Sequence, residues 1–502
     1  MVKGNTAYKF QEVEAEIDYT YLPEPLKCTS VSLKDVFANK LRLEANAFNL
    51  EAKVAKEKVA ANKFGVVNLW SKNGLVETAF HRPRFKRIYV DHKEIPFFQP
   101  SSITEVYPKP AKHISKKTDV DLEKLKIKKG MLLMTVSGTI GKVAIAGEKL
   151  NDQIFSHDLL RLTGKGKYDT GYIYTYFQTE TGQHILQSNN YGAVIKHIEP
   201  EHLENIIIPN APDSLKKEIH DLIIESYDLI DKAEEILYEE LQLKPIEKLK
   251  TEYFDNSVEL RNYTTKLSNL RLRLDGSYHI PIVQLVEQEI KRNSKEISTI
   301  GQLSKDIILA GVFKRTYVDR ENGVPFLGGR DMTQLNPKVE KFLSKTVHAA
   351  RIKKELEVFE NYVLISDRGT IGKVQIVPKH WNGWAVSQNI IKVISNSNDL
   401  AGYLFCFLNS DYGQVLIKRE IYGSVVDMID NKNVDGIHVP LLKNVKNQKE
   451  INDLVLNANE LRYQAHIKEQ EAIEKMEAII NSTNDFKLPI AAEPNAKYSK
   501  KK

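Results

Sequence analysis

The sequence lacks the features that define several broad classes of protein. Only two cysteines, Cys28 and Cys406, occur among its 502 residues, which excludes a disulfide framework and a cysteine-rich zinc site. No apolar run approaches the roughly 18 residues that a membrane-spanning helix needs. Charge interrupts the first twenty residues throughout, so no secretory signal is expected there. These features predict a cytoplasmic protein with no membrane association.

Catalytic and nucleotide-binding motifs are also missing. There is no Gly-x-x-x-x-Gly-Lys-Ser/Thr phosphate loop, no Gly-x-Gly-x-x-Gly turn, no His-Glu-x-x-His and no Gly-x-Ser-x-Gly. The Asn/Asp-Pro-Pro-aromatic sequence of amino-methylating DNA enzymes does not occur either. The 13 histidines are scattered along the chain. We therefore expect a chain that has no catalytic residues and that binds no cofactor or metal.

The overall composition is that of a globular protein with a mild excess of positive charge. Hydrophobic residues make up 42% of the chain and charged residues 27%, which excludes wholesale disorder. The formal net charge is +6 and the sequence pI is about 8.8. Such a charge permits nucleic-acid binding without demonstrating it.

The chain contains an internal duplication. Residues 131–209 align with 362–440 without a gap, with 20 identities over 79 positions. The alignment includes Gly-Thr-Ile-Gly-Lys-Val at 138–143 and again at 369–374. Upstream, Phe-Lys-Arg-Ile-Tyr-Val-Asp at 85–91 is repeated as Phe-Lys-Arg-Thr-Tyr-Val-Asp at 313–319. A period of about 230 residues is too long for a solenoid, so the sequence predicts two homologous globular domains in tandem.

A long amphipathic helix is predicted after each copy. Residues from Asp213 to about Tyr253 place apolar side chains three, four or seven positions apart, and so do residues from about Asn447 to Ile480. Helices of this length, with a narrow apolar seam, favour pairing with each other, and the order globe–helix–globe–helix predicts that they run antiparallel. Pro245 is expected to kink or end the first helix.

The predicted fold class is therefore α+β, with two mixed α/β domains and an antiparallel coiled coil. Apolar runs at 131–136 and 362–365 indicate strands, and 173–177 and 404–408 indicate helices. The expected boundaries are an N-terminal extension (1–36), domain 1 (37–212), a first spacer helix (213–262), domain 2 (263–444), a second spacer helix (445–485) and a disordered basic tail (486–502).

Repeated basic and turn residues are the candidates for contact with a ligand. Lysine and arginine beside aromatic residues suit phosphates and stacked bases. For one copy alone a solvated strand face is the better explanation, and the repetition of the block in both copies makes the two explanations equal. The Gly-Thr-Ile-Gly-Lys blocks predict tight turns, whose backbone N–H groups could also hold a phosphate. The candidate DNA-binding residues are Arg84, Lys86, Arg87, Thr139, Lys142, Lys196, Lys314, Arg315, Arg330, Arg368, Thr370 and Lys373.

The order of these blocks resembles the DNA-specificity subunit of type I restriction-modification systems. Each copy begins with an apolar strand, which is followed by Gly-Thr-Ile-Gly-Lys and then by Gly-Tyr in a helix that ends near Gly-Gln. Next come Tyr-Gly-Ala/Ser, a strand that ends in proline, and a long charged helix. The resemblance covers roughly residues 30–485. It implies two target recognition domains, each reading one half of a bipartite site in double-stranded DNA.

The resemblance also implies partners. In that family the helical rod sets the spacing and holds two DNA adenine methyltransferase subunits, and restriction/translocase subunits may join them. S-adenosylmethionine, ATP and Mg²⁺ then belong to the partner subunits, in agreement with the motifs missing here.

Two other functions are compatible with the sequence. The chain could be the recognition part of a fused restriction-methylation enzyme, but no stretch is left over for a nuclease or methylase domain. It could also be a scaffold of two protein-binding modules on a coiled coil. Steep salt dependence of binding to random duplex DNA would separate DNA recognition from the scaffold function.

Overall fold

The computed structural model describes residues 31–38, 41, 48–82, 84–90, 94–106, 108–189, 197–237, 264–270, 273–423 and 425–484. Lys196, Pro245 and the predicted basic tail lie outside these ranges. Among the described residues, no helix is both long enough and apolar enough to cross a membrane.

The first half of the chain contains domain 1 (the described part of 48–212) and the first long helix. Its helices are α1 (Leu33–Ala38), α2 (Leu50–Ala60), α3 (Leu122–Leu125), α4 (Asp169–Gln178), α5 (Glu180–Ser188) and α6 (Asp213–Glu235). Its strands are β1 (Val66–Asn68), β2 (Val76–Phe80), β3 (Tyr89–Val90), β4 (Ile95–Phe98), β5 (Lys112–Ile114), β6 (Leu132–Thr135), β7 (Val143–Ile145), β8 (Ile154–Phe155), β9 (Leu159–Gly164) and β10 (Ile207–Pro209).

The second half contains domain 2 (the described part of 273–444) and the second long helix. Its helices are α7 (Pro281–Asn293), α8 (Ile300–Leu303), α9 (Ala349–Arg351), α10 (Asn398–Asn409), α11 (Asp411–Arg419), α12 (Asn431–Asp435) and α13 (Val445–Asn481). Its strands are β11 (Ser294–Thr299), β12 (Ser304–Ile308), β13 (Tyr317–Val318), β14 (Gly323–Leu327), β15 (Phe342–Ser344), β16 (Val363–Ser366), β17 (Val374–Ile376), β18 (Ala385–Val386), β19 (Ile390–Ser395) and β20 (His438–Leu442).

The two domains have the same sheet topology, which confirms the duplication. Domain 1 has a four-stranded antiparallel sheet in the order β2-β9-β6-β7, a second sheet in the order β3-β5-β4-β8, and a β1-β10 pair. Domain 2 repeats them as β12-β19-β16-β17, β13-β15-β14-β18 and β11-β20. The predicted strands are β6 and β16, whose residues are all buried, and the predicted helices are α4 and α10.

The repeated Gly-Tyr pair explains how α4 and α10 pack. A Cβ on Gly171 would lie 2.8 Å from the Cα of His220, and one on Gly402 would lie 2.5 Å from the backbone oxygen of Asn452. Glycine is therefore required where each helix crosses the long helix that follows its domain. The neighbouring Tyr172 donates its hydroxyl proton to the carbonyl of Pro209 at 2.9 Å, which ties α4 to β10.

The two long helices, α6 and α13, pair antiparallel, as predicted, and are called the rod below. Lys475 bonds Glu218 at 3.1 Å, and Lys468 bonds Glu225 at 2.7 Å, so residue numbers fall on one helix as they rise on the other. Between the helices, the Ser226 hydroxyl donates to a backbone carbonyl of α13 at 2.8 Å. The described part of the first helix ends with α6, so the predicted kink at Pro245 lies outside the described residues.

Helix α13 also joins the two domain cores. Near its start, Ile451 and Val455 belong to the core of domain 2, and near its end Met476 and Ile480 belong to the core of domain 1. At 37 residues and 1.5 Å per residue, it spans about 55 Å. The apolar seam is therefore shared between the partner helix and both domains, which accounts for a helix longer than either domain alone requires.

Candidate nucleic-acid interface

The basic segment that follows β2 divides into exposed and anchored side chains. Arg84 and Lys86 are exposed, whereas Arg87 is half-buried. The Arg87 guanidinium lies 5.2 Å from the ring centre of Phe97 and donates to Nδ1 of His157 at 2.8 Å. The adjacent lysine and arginine therefore differ in their surroundings, although the sequence predicted the same contact for both.

The histidine in this contact acts as a hydrogen-bond acceptor. Burial is the largest cause that lowers the pKa of His157 below its usual value, and the charge of Arg87 lowers it further. A neutral ring can accept the Arg87 proton at Nδ1 and present its Nε2 proton to Asp158, 3.2 Å away. The arrangement fixes the arginine against the domain.

Domain 2 repeats this arrangement with different partners. Lys314 is exposed, and Arg315 lies 5.3 Å from the ring centre of Phe326, the counterpart of Phe97. Arg315 donates to the side-chain oxygen of Gln388 at 2.6 Å, where domain 1 has the histidine. Each domain thus presents one exposed lysine beside one anchored arginine.

The Gly-Thr-Ile-Gly-Lys blocks form tight turns between strands, as predicted. Gly138 and Gly141 have φ values of +73° and +83°, in the left-handed region that favours glycine. The Thr135 hydroxyl donates to the Thr139 carbonyl at 2.6 Å, and Gln183 donates to the Gly141 carbonyl at 2.9 Å.

The turn in domain 2 is held by the equivalent bonds. Ser366 donates to Thr370 at 2.6 Å, and Gln414 donates to Gly372 at 2.9 Å. Both tip threonines, Thr139 and Thr370, are exposed. The turns therefore present equivalent tips on the two domains.

The lysines that end these turns do not extend into solvent beside the tips. The ammonium group of Lys142 donates to the side-chain oxygen of Gln334 in domain 2 at 3.0 Å. Lys373 in turn donates to the carboxylate of Glu105 in domain 1 at 3.3 Å. Burial lowers the pKa of Lys142 from its usual value. The structure thus places both lysines at a contact between the two domains, where the sequence predicted a phosphate contact.

The remaining predicted residues occupy different surroundings. Arg330 is exposed. Arg368 is half-buried and donates from Nε to the carboxylate of Asp367 at 3.0 Å, so its charge is partly compensated. Lys196 lies outside the described residues. The structure brings Arg84, Lys86 and Arg87 together in one segment, but it does not gather all the predicted residues of either domain into one cluster.

A loop beside Arg368 begins with the repeated Tyr-Gly block of domain 2, and the candidate residues include Lys196 from the matching block of the first copy but none from this loop. Tyr422 and Met428 pair through backbone bonds of 2.9 and 2.8 Å, and Met428 also forms a bridge with Arg368. At the tip, Val425 is 94% exposed and Val426 is 53% exposed. The sequence feature that marks this tip is an apolar pair that both copies share. Val-Ile at 194–195 matches Val-Val at 425–426 in the alignment of 131–209 with 362–440.

A polar junction between the domains and the rod also escaped the prediction. Glu469 of α13 is only 3% exposed, and it accepts hydrogen bonds from the Tyr174 hydroxyl of domain 1 and the Asn336 amide of domain 2. Burial is the main cause that raises the pKa of this carboxyl. Among the described residues, no group of three or more His, Cys, Asp or Glu side chains could hold a metal ion.

Comparison with known proteins identifies a family. Residues 79–243 and 294–474 match the type I restriction modification DNA specificity domain. No curated protein matches the chain. Among solved structures, the chain is similar to a type I restriction-modification S subunit from M. genitalium, with 14% identity over 84% of this chain and 99% of that chain, at a TM-score of 0.29.

Two further solved structures are similar at the same level. The HsdS subunit from Thermoanaerobacter tengcongensis is 13% identical over 83% of this chain and 95% of that chain, at a TM-score of 0.26. A structure concerning complex assembly and conformational transition of the type I R-M system is 13% identical over 80% of this chain and 97% of that chain, at 0.26. The family match covers more than half of the chain.

Proposed function

Because this chain belongs to the type I restriction-modification DNA specificity family, we propose that it is the non-catalytic subunit that reads a bipartite site in double-stranded DNA. One observation carries the proposal. The two domains share one topology, and at the same place each has an exposed lysine, Lys86 or Lys314, beside an anchored arginine. Two equivalent surfaces on one chain suit two separate half-sites.

The exposed lysines are suited to phosphates. A lysine held beside an anchored arginine adds positive charge at a fixed place, and phosphate contacts position a protein on DNA without reading its bases. Arg84, Arg330 and the turn tips at Thr139 and Thr370 are exposed and are proposed as further contacts. The charge of Arg368 is already shared with an aspartate, so its proposed contribution is smaller.

Base reading is proposed for the side chains that differ between the copies. Lys-His at 196–197 matches Asp-Met at 427–428. A lysine suits the acceptors of guanine, and an aspartate suits the amino group of cytosine. We therefore expect the two half-sites to differ in sequence.

The rod is proposed to dock two DNA adenine methyltransferase subunits, with restriction/translocase subunits as possible additions. The two halves of the chain repeat the same domain and helix, so a surface recognised by a partner in one half has a counterpart in the other. Two copies of one partner satisfy such a pair of surfaces. S-adenosylmethionine, ATP and Mg²⁺ would be bound by these partners.

Selection from a random duplex library tests the DNA-reading function. The purified chain, alone and after addition of a type I DNA adenine methyltransferase subunit, is incubated with the library, and the bound fraction is sequenced. We expect two short blocks separated by an unread spacer of fixed length. Absence of any enriched sequence, or enrichment of one continuous block, would contradict the proposal.

A second measurement addresses the scaffold alternative and the partners. Binding to random duplex DNA should weaken steeply as salt rises, because phosphate neutralisation releases counterions. A protein-binding scaffold would show no such dependence. Native mass spectrometry of the reconstituted complex should give two methyltransferase subunits for each copy of this chain, and a one-to-one complex would exclude the paired docking.

A further inference from the structure

The two recognition domains touch through equivalent backbone segments. The N–H of Val106 donates to the Thr333 carbonyl at 2.9 Å, and the N–H of Leu335 donates to the Thr104 carbonyl at 2.7 Å. In this part of the chain the two copies align at a shift of 229 positions, as Ile-Pro-Phe at 95–97 does with Val-Pro-Phe at 324–326, and this shift pairs Thr104 with Thr333 and Val106 with Leu335. The contact is therefore isologous, since each domain uses the same surface to meet the other.

Side chains reinforce this backbone contact from both sides. Lys142, which ends the turn of domain 1, donates to Gln334 of domain 2. The equivalent lysine of domain 2, Lys373, donates to Glu105 of domain 1, and Glu105 is the residue equivalent to Gln334. The Thr104 hydroxyl also donates to the Gln334 side chain. Gln334 is buried, so its hydrogen bonds replace water that the contact excludes.

Two more contacts near this surface resist displacement. Lys338 of domain 2 donates to the Phe177 carbonyl of domain 1 at 3.3 Å. Asn336 bonds the buried Glu469 of the rod, which also accepts from domain 1. The domains are thus held to each other and, through the carboxyl group of Glu469, to the rod.

We propose that these contacts hold the two recognition domains at one relative distance and angle and thereby make the protein selective for one spacer length. We call Thr104–Val106 with Lys373, and Thr333–Leu335 with Lys142, the interdomain clamp. The clamp residues are positioning residues, and the inference rests on the function proposed above. In this view the rod is one determinant of the spacing and the clamp is a second.

The dimensions of DNA explain why such a clamp would discriminate. Adding one base pair between half-sites moves them apart by about 3.4 Å and rotates one by about 35°. The clamp consists of hydrogen bonds of 2.7–3.3 Å, which a relative movement of that size would break. The protein can therefore bind the altered site only by opening the clamp or by losing contacts in one half-site.

A disulfide that locks the clamp tests whether the domains bind DNA in this arrangement. Glu105 and Gln334 form a non-hydrogen-bonded antiparallel pair, whose Cα atoms stand about 4.5 Å apart, within the range of a disulfide. The variant carries Glu105→Cys, Gln334→Cys and Cys28→Ser. Cys406 can remain, because it is half-buried and burial raises the pKa of its thiol to about 12, which keeps it protonated at neutral pH.

We expect this disulfide to form readily and the oxidised protein to bind the selected site as tightly as its reduced form does. Failure to form the disulfide would show that the contact is absent in solution. Loss of binding on oxidation, regained on reduction, would show that the domains must separate on DNA. Either result overturns the proposal.

Charge reversal tests the selectivity. Duplexes carry the selected half-sites with the native spacer or with one base pair added or removed, and we expect the wild-type protein to prefer the native spacer about tenfold or more. In the variant Glu105→Lys/Gln334→Lys, lysine faces lysine on both sides of the clamp. We expect its preference to fall below about threefold while a thermal melt shows that it remains folded.

A charge-swapped variant is the matched control. Adding Lys373→Glu and Lys142→Glu to that variant restores opposite charges across the clamp, and we expect the spacer preference to return. An unchanged preference in the lysine variant would assign spacing to the rod alone and overturn the proposal. Failure of the proposed function is distinguishable, because then the library would yield no bipartite site while the disulfide could still form.

Discussion

The neighbouring residues Lys86 and Arg87 should respond in opposite ways to replacement by alanine. Lys86 is exposed, and its side chain is proposed to contact a DNA phosphate. Arg87 lies over Phe97 and is bonded to His157 and Ser156 at 2.8 and 3.3 Å, so much of its guanidinium is engaged within the domain. One substitution should therefore change DNA binding, and the other should mainly change stability.

The expected size of the Lys86 effect follows from counterion release. One phosphate contact contributes about −0.9 to the slope of log affinity against log salt, so Lys86→Ala should flatten that slope by about 0.9. Between 50 and 200 mM salt, this corresponds to about 3.5-fold less loss of affinity than in the wild type. The side chain is exposed, so the free energy of unfolding should change by less than about 0.5 kcal/mol.

The Arg87 substitution should have the opposite profile. Loss of charged hydrogen bonds and of the contact with an aromatic ring should lower the free energy of unfolding by about 1.5–3 kcal/mol. The salt slope of the protein that remains folded should stay close to that of the wild type. Lys314→Ala and Arg315→Ala should repeat the contrast in domain 2.

Fluorescence anisotropy with a labelled random duplex at several salt concentrations measures the slope, and urea unfolding measures stability. Lys449→Ala is the matched control, because this lysine is also exposed but lies on α13. If Lys86→Ala left the slope unchanged in a folded protein, the phosphate contact would be refuted. If Arg87→Ala flattened the slope without loss of stability, the anchoring role would be wrong.

Three further predictions concern stability, each measured by urea unfolding. Since the folded protein keeps a proton on Glu469 that the unfolded chain releases, the free energy of unfolding should fall as the pH rises above the ordinary value of 4.5, and Glu469→Gln should flatten this dependence. Gly141→Ala should cost about 2 kcal/mol, because φ is +83° and the Cβ would lie 3.0 Å from two side chains, whereas Gly138→Ala, with φ +73° and no neighbour within 4 Å, should cost about 1 kcal/mol. Ile223→Ala should cost about 2–5 kcal/mol, because this side chain of α6 is fully buried in the core of domain 1.

The sequence predicts those parts of the fold that are encoded locally or by repetition. The continuous apolar run of β6, which is buried on both faces, and the 3.6-residue period of α13, which has one buried face, are both visible as patterns in the sequence. The gapless repeat implied that whatever fold one copy adopts the other also adopts. The antiparallel pairing followed from the order of the elements in the chain.

The site was less predictable because it depends on which groups meet across the fold. Nothing in the sequence near Lys142 indicates that its ammonium group faces Gln334, 192 positions away. Likewise, Arg87 resembles a free basic residue until Phe97 and His157 are placed around it. Glu469 occupies a polar position on an amphipathic helix, and only the approach of both domains makes it buried.

The isologous contact separates residues that fix geometry from residues that can vary. Glu105 faces Gln334, its own counterpart, so the domains can approach only if the same surface is compatible with itself. A change there acts on both sides of the contact at once. Asp427, in contrast, lies on an exposed loop, and the matching position of the first copy holds Lys196, so the sequence has already diverged there. If each domain reads one half-site, as proposed, a duplicated domain can keep one fixed distance between the half-sites while the bases that each half reads change independently.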